Sequence, residues 1–273
     1  MFNRINKILL YLVLFGGLFL SITPFLWMIV TSLKPSGEIF GSSWLPTKFT
    51  LDNYVNLFRV SNFWLYYWNS ILISVTTVTL GLFFDSLAGF AFAKYNFPGR
   101  NVLFWIVLIT LMVPAQITLI PSYLVLTWLN LTNKLSGIII GGVASAFGIF
   151  LCRQYMQQVL HNDLIDAAKI DGCNDFQIYW RIALPLAKPV LGALAIFRFL
   201  ASWNNYLWPL IVLQDQSKFT LPVGIAQITG LHGIPIWGVQ MAGSFLATLP
   251  IIIFFLIMQR QFISGITLGS VKG

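Results

Sequence analysis

Side chains able to do acid–base, charge or hydrogen-bond chemistry are scarce in this chain, so their positions carry information. It holds eight Asp or Glu and two His in 273 residues. Half of the acids, Asp163, Asp166, Asp171 and Asp175, fall between His161 and Ala183, together with Lys169 and Arg181. This stretch reads as two short helices. Asp163 is expected to cap the first, with Asp166 in the place of a capping-box acid. Gly172 is expected to end that helix in the left-handed conformation. Asn174 is placed to cap a second helix running through Phe176, Tyr179, Trp180 and Ile182, and Pro185 and Pro189 suit the first turn of the next apolar helix. Ala167, Ala168 and Gly172 would leave one side of the first helix nearly bare, flanked by aspartates. That combination suits close docking against another protein's backbone or amide donors. The plain alternative is a loop that merely joins two apolar segments.

A second set of polar residues sits inside apolar surroundings. Asp85 and Arg198 fall within long hydrophobic runs, where a charge is costly and faces a cavity or an opposite charge. They are read either as part of a solute pathway or as a structural ion pair. Trp203, Asn204, Asn205 and Tyr206 combine amides, which hydrogen-bond hydroxyls, with rings that cover apolar C–H faces. This mixture suits sugar, and it equally suits interhelical bonding with aromatic anchoring.

The elements that must position these residues are apolar helices. Hydrophobic residues make up 58% of the chain and charged ones 9%, against roughly a quarter charged in a soluble domain. Mean hydropathy is +0.81, so lipid is the expected solvent. The net charge of +8 does not indicate nucleic acid, because the basic residues stand singly between apolar runs. Cys152 and Cys173 belong to no CxxC or Cys/His cluster, so no metal site is signalled. Six apolar segments are expected to cross a bilayer: Ile8–Leu33, Asn69–Ala93, Val102–Leu126, Leu135–Gln157, Leu184–Leu213 and Val239–Phe262. Only helices satisfy their own backbone in lipid at these lengths. The class is therefore all-α, with one membrane domain and no repeat.

Orientation follows from Lys and Arg. With the N-terminus in the cytoplasm, the inner segments hold Arg4, Lys7, Lys94, Arg100, Arg153, Lys169, Arg181, Lys188, Arg260 and Lys272. The outer ones hold Lys34, Lys48, Arg59, Lys134 and Lys218. The excess inside predicts that both termini are cytoplasmic. His161 and His232 then lie in loops on opposite sides, which excludes a His-based nucleophile pair between them. Of the two long outer loops, residues 34–68 are expected to carry a short interfacial helix over Leu51–Phe58. The other, Gln214–Gly238, is expected to be ordered and irregular.

Several stretches carry a family resemblance. Asp166-Ala167-Ala168, Asp171-Gly172, Phe176 and Ile182-x-Leu184-Pro185 resemble the EAA loop of bacterial ABC importer permeases, with Asp166 in place of the usual Glu. Pro24-Phe25-Leu26-Trp27, Trp68-Asn69-Ser70, Phe97-Pro98-Gly99-Arg100, Trp203-Asn204-Asn205-Tyr206-Leu207-Trp208-Pro209 and the ending Val271-Lys272-Gly273 are similar to the smaller permease of maltose-type systems. The resemblance implies a type I ABC importer transmembrane fold in the cytoplasmic membrane. In that arrangement residues 1–65 are a first helix and external loop, 66–260 the core with coupling loop 161–183, and 261–273 a cytoplasmic tail. It also implies coupling to ATPases through Asp163, Asp166, Ala167, Ala168, Asp171, Gly172, Phe176, Ile182, Leu184 and Pro185. The implied partners are a second permease subunit, two ATP-binding subunits that hold ATP and Mg, and an extracytoplasmic solute-binding protein touched by residues 214–238. The chain has no GxxxxGK[ST] loop of its own. The implied solute is a sugar or polyol, with glycerol phosphate as an alternative. A secondary transporter is the competing class, although no inverted repeat is found and Asp85 is the lone acid inside the apolar runs.

Overall fold

The computed structural model describes residues 4–41, 43–230 and 233–267. His232 and the closing Val271-Lys272-Gly273 lie outside them. In chain order the helices are α1 (Arg4–Ser32), α2 (Asp52–Val60), α3 (Phe63–Lys94), α4 (Arg100–Met112), α5 (Ala115–Trp128), α6 (Leu135–Gly141), α7 (Ala146–Val159), α8 (Asn162–Ile170), α9 (Asp175–Ile178), α10 (Leu184–Leu186), α11 (Lys188–Trp203), α12 (Leu207–Val212), α13 (Leu221–Ala226) and α14 (Trp237–Thr267). A turn of π-helix, Tyr179–Ala183, joins α9 to α10. Among the described residues, β pairing is limited to an isolated bridge between Thr229 and Pro235.

Three of the expected spans are uninterrupted and correspond to α1, α3 and α14, the first ending at Ser32, one residue short of the expected Leu33. The other three are broken, which corrects the expectation of continuous helices. Before Pro114, Val113 is forced to an extended backbone (φ −81°, ψ 119°), and α4 and α5 meet at 110°. Gly142 ends α6, and Ser145 then caps α7, accepting from Gly148 N at 2.9 Å; the two helices differ by 42°. Pro185 has no N–H to give to the carbonyl four residues back. The ladder shifts there to a π turn, in which Leu184 N bonds to Tyr179 O. Asp175–Leu186 and α11 then differ by 78°. The segment expected over Leu184–Leu213 also stops at Trp203, and α12 begins afresh at Leu207. At 13 residues, α4 is about 20 Å long, too short to cross about 30 Å of hydrocarbon unaided. Six spans result only if each bent pair counts as one.

Two compact units can be described separately. The first comprises Met1–Trp64 and Val223–Pro250. Its loop after α1 is tied down by Asn53, whose Nδ2 donates to Ser32 O at 2.9 Å and Lys34 O at 2.8 Å. Ser32 Oγ and Tyr54 OH are 2.7 Å apart. Lys34 is buried, donates to Ser43 O at 2.7 Å and lies over the Trp27 ring. Glu38 accepts from Thr47 N at 2.9 Å and from the Thr47 hydroxyl, and these bonds hold its carboxyl below the ordinary value. The expected short helix is present as α2, which buries Leu57 beside Gly243 and Ile225.

The second unit comprises Leu65–Pro222 and Ile251–Gly273. Its core joins transmembrane helices to the acidic loop. Phe90 of α3, Met156 of α7 and Val190 of α11 share one buried cluster with Ile165, Ala168, Ile178 and Tyr179. At Gly89 an added Cβ would collide with the Cys152 side chain, so a glycine there lets α3 and α7 approach closely. Of the loop expected over Gln214–Gly238, the first residues are ordered, and Leu221–Ala226 form α13 rather than an irregular course. Asn133 Oδ1 accepts from Gln214 N and Asp215 N, and Asn69 Nδ2 donates to Ser217 O and Phe219 O.

Candidate functional site

The acidic loop is built from two short helices on a buried base. The N-cap of α8 is His161, with no side-chain cap bond. Asp163 is therefore the second residue of the helix, and Asp166 lies beyond the first turn. This corrects the expected Asp163 cap and Asp166 capping box. Asp163 still lies where the helix dipole favours a negative charge. The C-terminus agrees with expectation: Gly172 has φ +82°, Gly172 N bonds to Lys169 O at 3.0 Å and Cys173 N to Ala168 O at 2.9 Å. That pair of bonds is a Schellman motif. Asn174 caps α9 as expected, and Gln177 completes a capping box with bonds of 2.8 Å in each direction.

The loop has an inner and an outer face. Ile165, Ala168, Ile178 and Tyr179 point inward, into the core. Ala168 is thus no part of a bare outer patch, a second correction, because the 3.6-residue period places it on the same side as Ile165. Asp163, Leu164, Asp166, Ala167, Ile170, Asp171, Gly172 and Phe176 are exposed, and Ile170 shows 87% of its surface. A Cβ on Gly172 would meet nothing within 4 Å. Ile182 and Leu184 are half-buried and Pro185 is exposed. The inner face is fastened to α3: Tyr179 OH and Ser86 Oγ are 2.8 Å apart, and Trp180 stacks on Phe83. Just past α3, Tyr95 OH donates to Asp175 Oδ1 at 2.9 Å. Burial and that carboxylate push the phenol above its ordinary value.

Asp85 and Arg198 meet. Arg198 Nε donates to Asp85 Oδ2 at 2.8 Å, Nη2 donates to the same oxygen, and Nη1 donates to Gly142 O at 2.8 Å. Asp85 Oδ1 accepts from Ser145 N at 2.8 Å. Asp85 is fully buried and Arg198 8% exposed. Gly81 and Gly148 make room, since a Cβ at Gly81 would strike the guanidinium and one at Gly148 the carboxylate. The pair locks α3 and α11 to the break between α6 and α7.

Beside it lies a cavity of about 460 Å³, lined by residues of α3, α6, α7, α11 and α12 and by Thr220. Of the four sequence-predicted polar residues near 203–206, only Asn205 lines it. Trp203 is buried instead, stacked on Phe199 and edge-on to Tyr67. Asn204 is exposed and donates to Leu200 O at 3.1 Å, and Tyr206 is exposed. Arg198 lines the cavity and Asp85 stands behind it. Sequence reading missed Thr77, Ser145 and Thr220 at this site. Ser145 carried a signal, a helix-capping residue after a Gly-Gly break.

Residues 85–267 match the family model described as binding-protein-dependent transport system inner membrane component. The chain belongs to this family. It is similar to the arabinooligosaccharides transport system permease protein AraQ of Halalkalibacterium halodurans, 40% identical over 260 residues that cover 93% of this chain and 92% of that one. The lactose transport system permease protein LacG of Rhizobium radiobacter is 36% identical over 270 residues, 99% of this chain and 98% of that one. Among solved structures, a chain of a bacterial ABC transporter involved in the import of the acidic polysaccharide alginate superposes with a TM-score of 0.84. It is 27% identical and covers 96% of this chain and 99% of that one. As a member of the binding-protein-dependent family this chain is an inner-membrane transport subunit with the ABC importer permease fold, not an enzyme.

Proposed function

We propose that this subunit passes a saccharide or related polyol across the cytoplasmic membrane, driven by partner ATPases that press on the 161–183 loop. Both termini are cytoplasmic, a second permease subunit completes the channel, and an extracytoplasmic binding protein delivers solute against residues 214–238. ATP and Mg are held by the two ATP-binding subunits. The names of the two relatives, arabinooligosaccharide and lactose transport, support a saccharide.

The observation that carries the coupling is the two-faced loop. Its outer face exposes Ile170 between Asp166 and Asp171, an apolar contact inside an acidic frame. Its inner face shares a core with α3, α7 and α11, so a displacement of the loop is passed to the helices that line the cavity.

Gly172→Asp tests this. The position is outward and open, so the subunit should still insert, at a backbone cost of about 1 kcal/mol for leaving glycine at positive φ. ATPase subunits retained on washed membranes should fall several-fold relative to permease, and ATP-driven uptake with them. Ala168→Leu is no substitute test, because a larger residue there overpacks the chain's own core. Full retention and full uptake in Gly172→Asp would reduce the loop to a connector.

A further inference from the structure

Arg100 and Arg153 are a pair of cations with no acid beside them. Arg100 Nε donates to Phe92 O at 3.0 Å, and Arg153 Nε donates to the same oxygen at 3.4 Å. Arg100 Nη1 also donates to Asn96 Oδ1 at 2.6 Å, and the Arg153 guanidinium lies 3.9 Å from the centre of the Phe104 ring. Phe92 belongs to the last turn of α3. A helix C-terminus carries roughly half a negative charge, which one cation already exceeds. No Asp or Glu occurs between Asp85 and Asp163, and ion pairs among the described residues are limited to Asp85–Arg198 and Asp215–Lys218. Positive charge is therefore left over at two half-buried side chains.

Two surfaces adjoin this charge. One is a recess of about 300 Å³ lined by Asn96, Phe97, Gly99, Arg100, Asn101 and Val102. It lies at the N-terminus of α4, where Gly99 supplies no side-chain cap, so first-turn amides are left to an outside acceptor. The other is apolar. Val102, Trp105, Ile106 and Ile109 follow the i, i+3, i+4, i+7 spacing of one helix face, and each is more than half exposed. Phe104, on the other side of α4, is buried against Phe92 and Arg153. The apolar face starts two residues after Arg100 and runs for about 10 Å. An acidic protein surface would match the cations and leave this face bare. An apolar protein surface would cover the face and leave the cations unmatched. A molecule with an anionic head and an apolar tail matches both.

We propose that Arg100 and Arg153 hold the phosphate of an anionic phospholipid at the N-terminus of α4, with an acyl chain lying along Val102, Trp105, Ile106 and Ile109. The headgroup completes the charge balance that the chain leaves open. Lys94, two residues past Phe92, donates to Asn162 Oδ1 at 3.2 Å, so the lipid sits at the end of the helices that carries the 161–183 loop.

The test uses the assembled complex of both permease subunits and both ATPases in phosphatidylcholine nanodiscs. These are doped with phosphatidylglycerol carrying a photoreactive diazirine in its acyl chain, or with phosphatidylcholine carrying the same group, and cross-linked peptides are mapped by mass spectrometry. Labelling of α5, which holds no charged residue, is the internal reference. Relative to α5, the phosphatidylglycerol probe should label the exposed face of α4 several-fold more than the phosphatidylcholine probe. Arg100→Gln and Arg153→Gln should each lower that excess about fivefold. Arg100→Lys and Arg153→Lys keep the charge and should retain most of it. Unlabelled phosphatidylglycerol should compete the label away from the wild-type complex, which keeps the test decisive where a Gln variant fails to assemble. Equal labelling by the two probes would reduce the lipid to an unselected neighbour and overturn the site, as would labelling that survives both Gln variants or resists competition. Absence of α4 labelling in the intact complex also overturns it, and is the result expected if the second permease or an ATPase covers the pair. Competition by soluble glycerol 1-phosphate as strong as by phosphatidylglycerol would assign the cations to a free phosphate and refute the lipid.

Discussion

Breaking the Asp85–Arg198 pair gives a test with a calculable outcome. Asp85→Asn turns one oxygen into an NH₂ donor. Its neighbours on that carboxylate are Ser145 N at 2.8 Å, Ser145 Oγ at 3.2 Å and the Arg198 Nε and Nη2 donors, so in either amide orientation a donor faces a donor. The guanidinium, 8% exposed, is then left without its counter-charge. Arg198→Gln leaves a fully buried carboxylate facing a neutral amide, and also ends the guanidinium's bond to Gly142 O. Each single change should cost about 3–5 kcal/mol, typical of stranding one member of a buried pair. The double variant carries no buried charge, and its cost should shrink to the loss of ordinary hydrogen bonds, about 1–2 kcal/mol. The coupling energy between the two sites should therefore be at least about 4 kcal/mol. Folded complex remaining after heating, measured by size exclusion, and subunit level in membranes should both rank wild type, double, then either single. Uptake should partly return in the double variant. A double variant no better than the worse single would show that the two residues act independently along the solute path, and the locking role would be wrong.

The loops give two more tests. Single cysteines at Ser43 and Ser217 should react with a membrane-impermeant maleimide in intact cells, and one at Asn174 only after permeabilisation; external labelling at Asn174 would invert the topology and remove the coupling argument. At Asp215, the Lys218 ammonium and then the Asn133 amide hold the carboxyl below its ordinary value of 3.8. A lowered folded value means that the bonds ordering residues 213–219 are kept above the ordinary value and lost as pH falls through the folded one. Pepsin cleavage in that loop, normalised at each pH to cleavage of an unstructured reference peptide, should be flat from about pH 5 to 4 and rise below, with a small amplitude because the group is exposed; a normalised rise already complete at pH 5 would contradict this.

What the sequence by itself determined are features encoded within a few neighbouring residues. Hydropathy over about 20 residues located the apolar segments. Gly172 ended α8 and Asn174 began α9, because the left-handed turn and the side-chain cap are decided by single residues. The motif residues around them were enough for a family resemblance that residues 85–267 now support. Even some local signals went unread: Pro114 and the Gly141-Gly142…Ser145 sequence marked breaks inside runs that hydropathy alone joined. Tertiary structure decided what depends on distant partners. Asp85 and Arg198 lie 113 residues apart, and composition could not say whether they pair or line a path separately. Ala168 looked like an outer surface until the buried cluster it shares with Ile165 and Val190 turned it inward. Trp203 was absorbed by Phe199 and Tyr67, while Thr77 and Thr220, which no motif singles out, were left with buried hydroxyls that find no partner among the described residues. Caps, turns and hydropathy are local free energies, whereas pairing, burial and the shape of a cavity exist only once several helices are packed together.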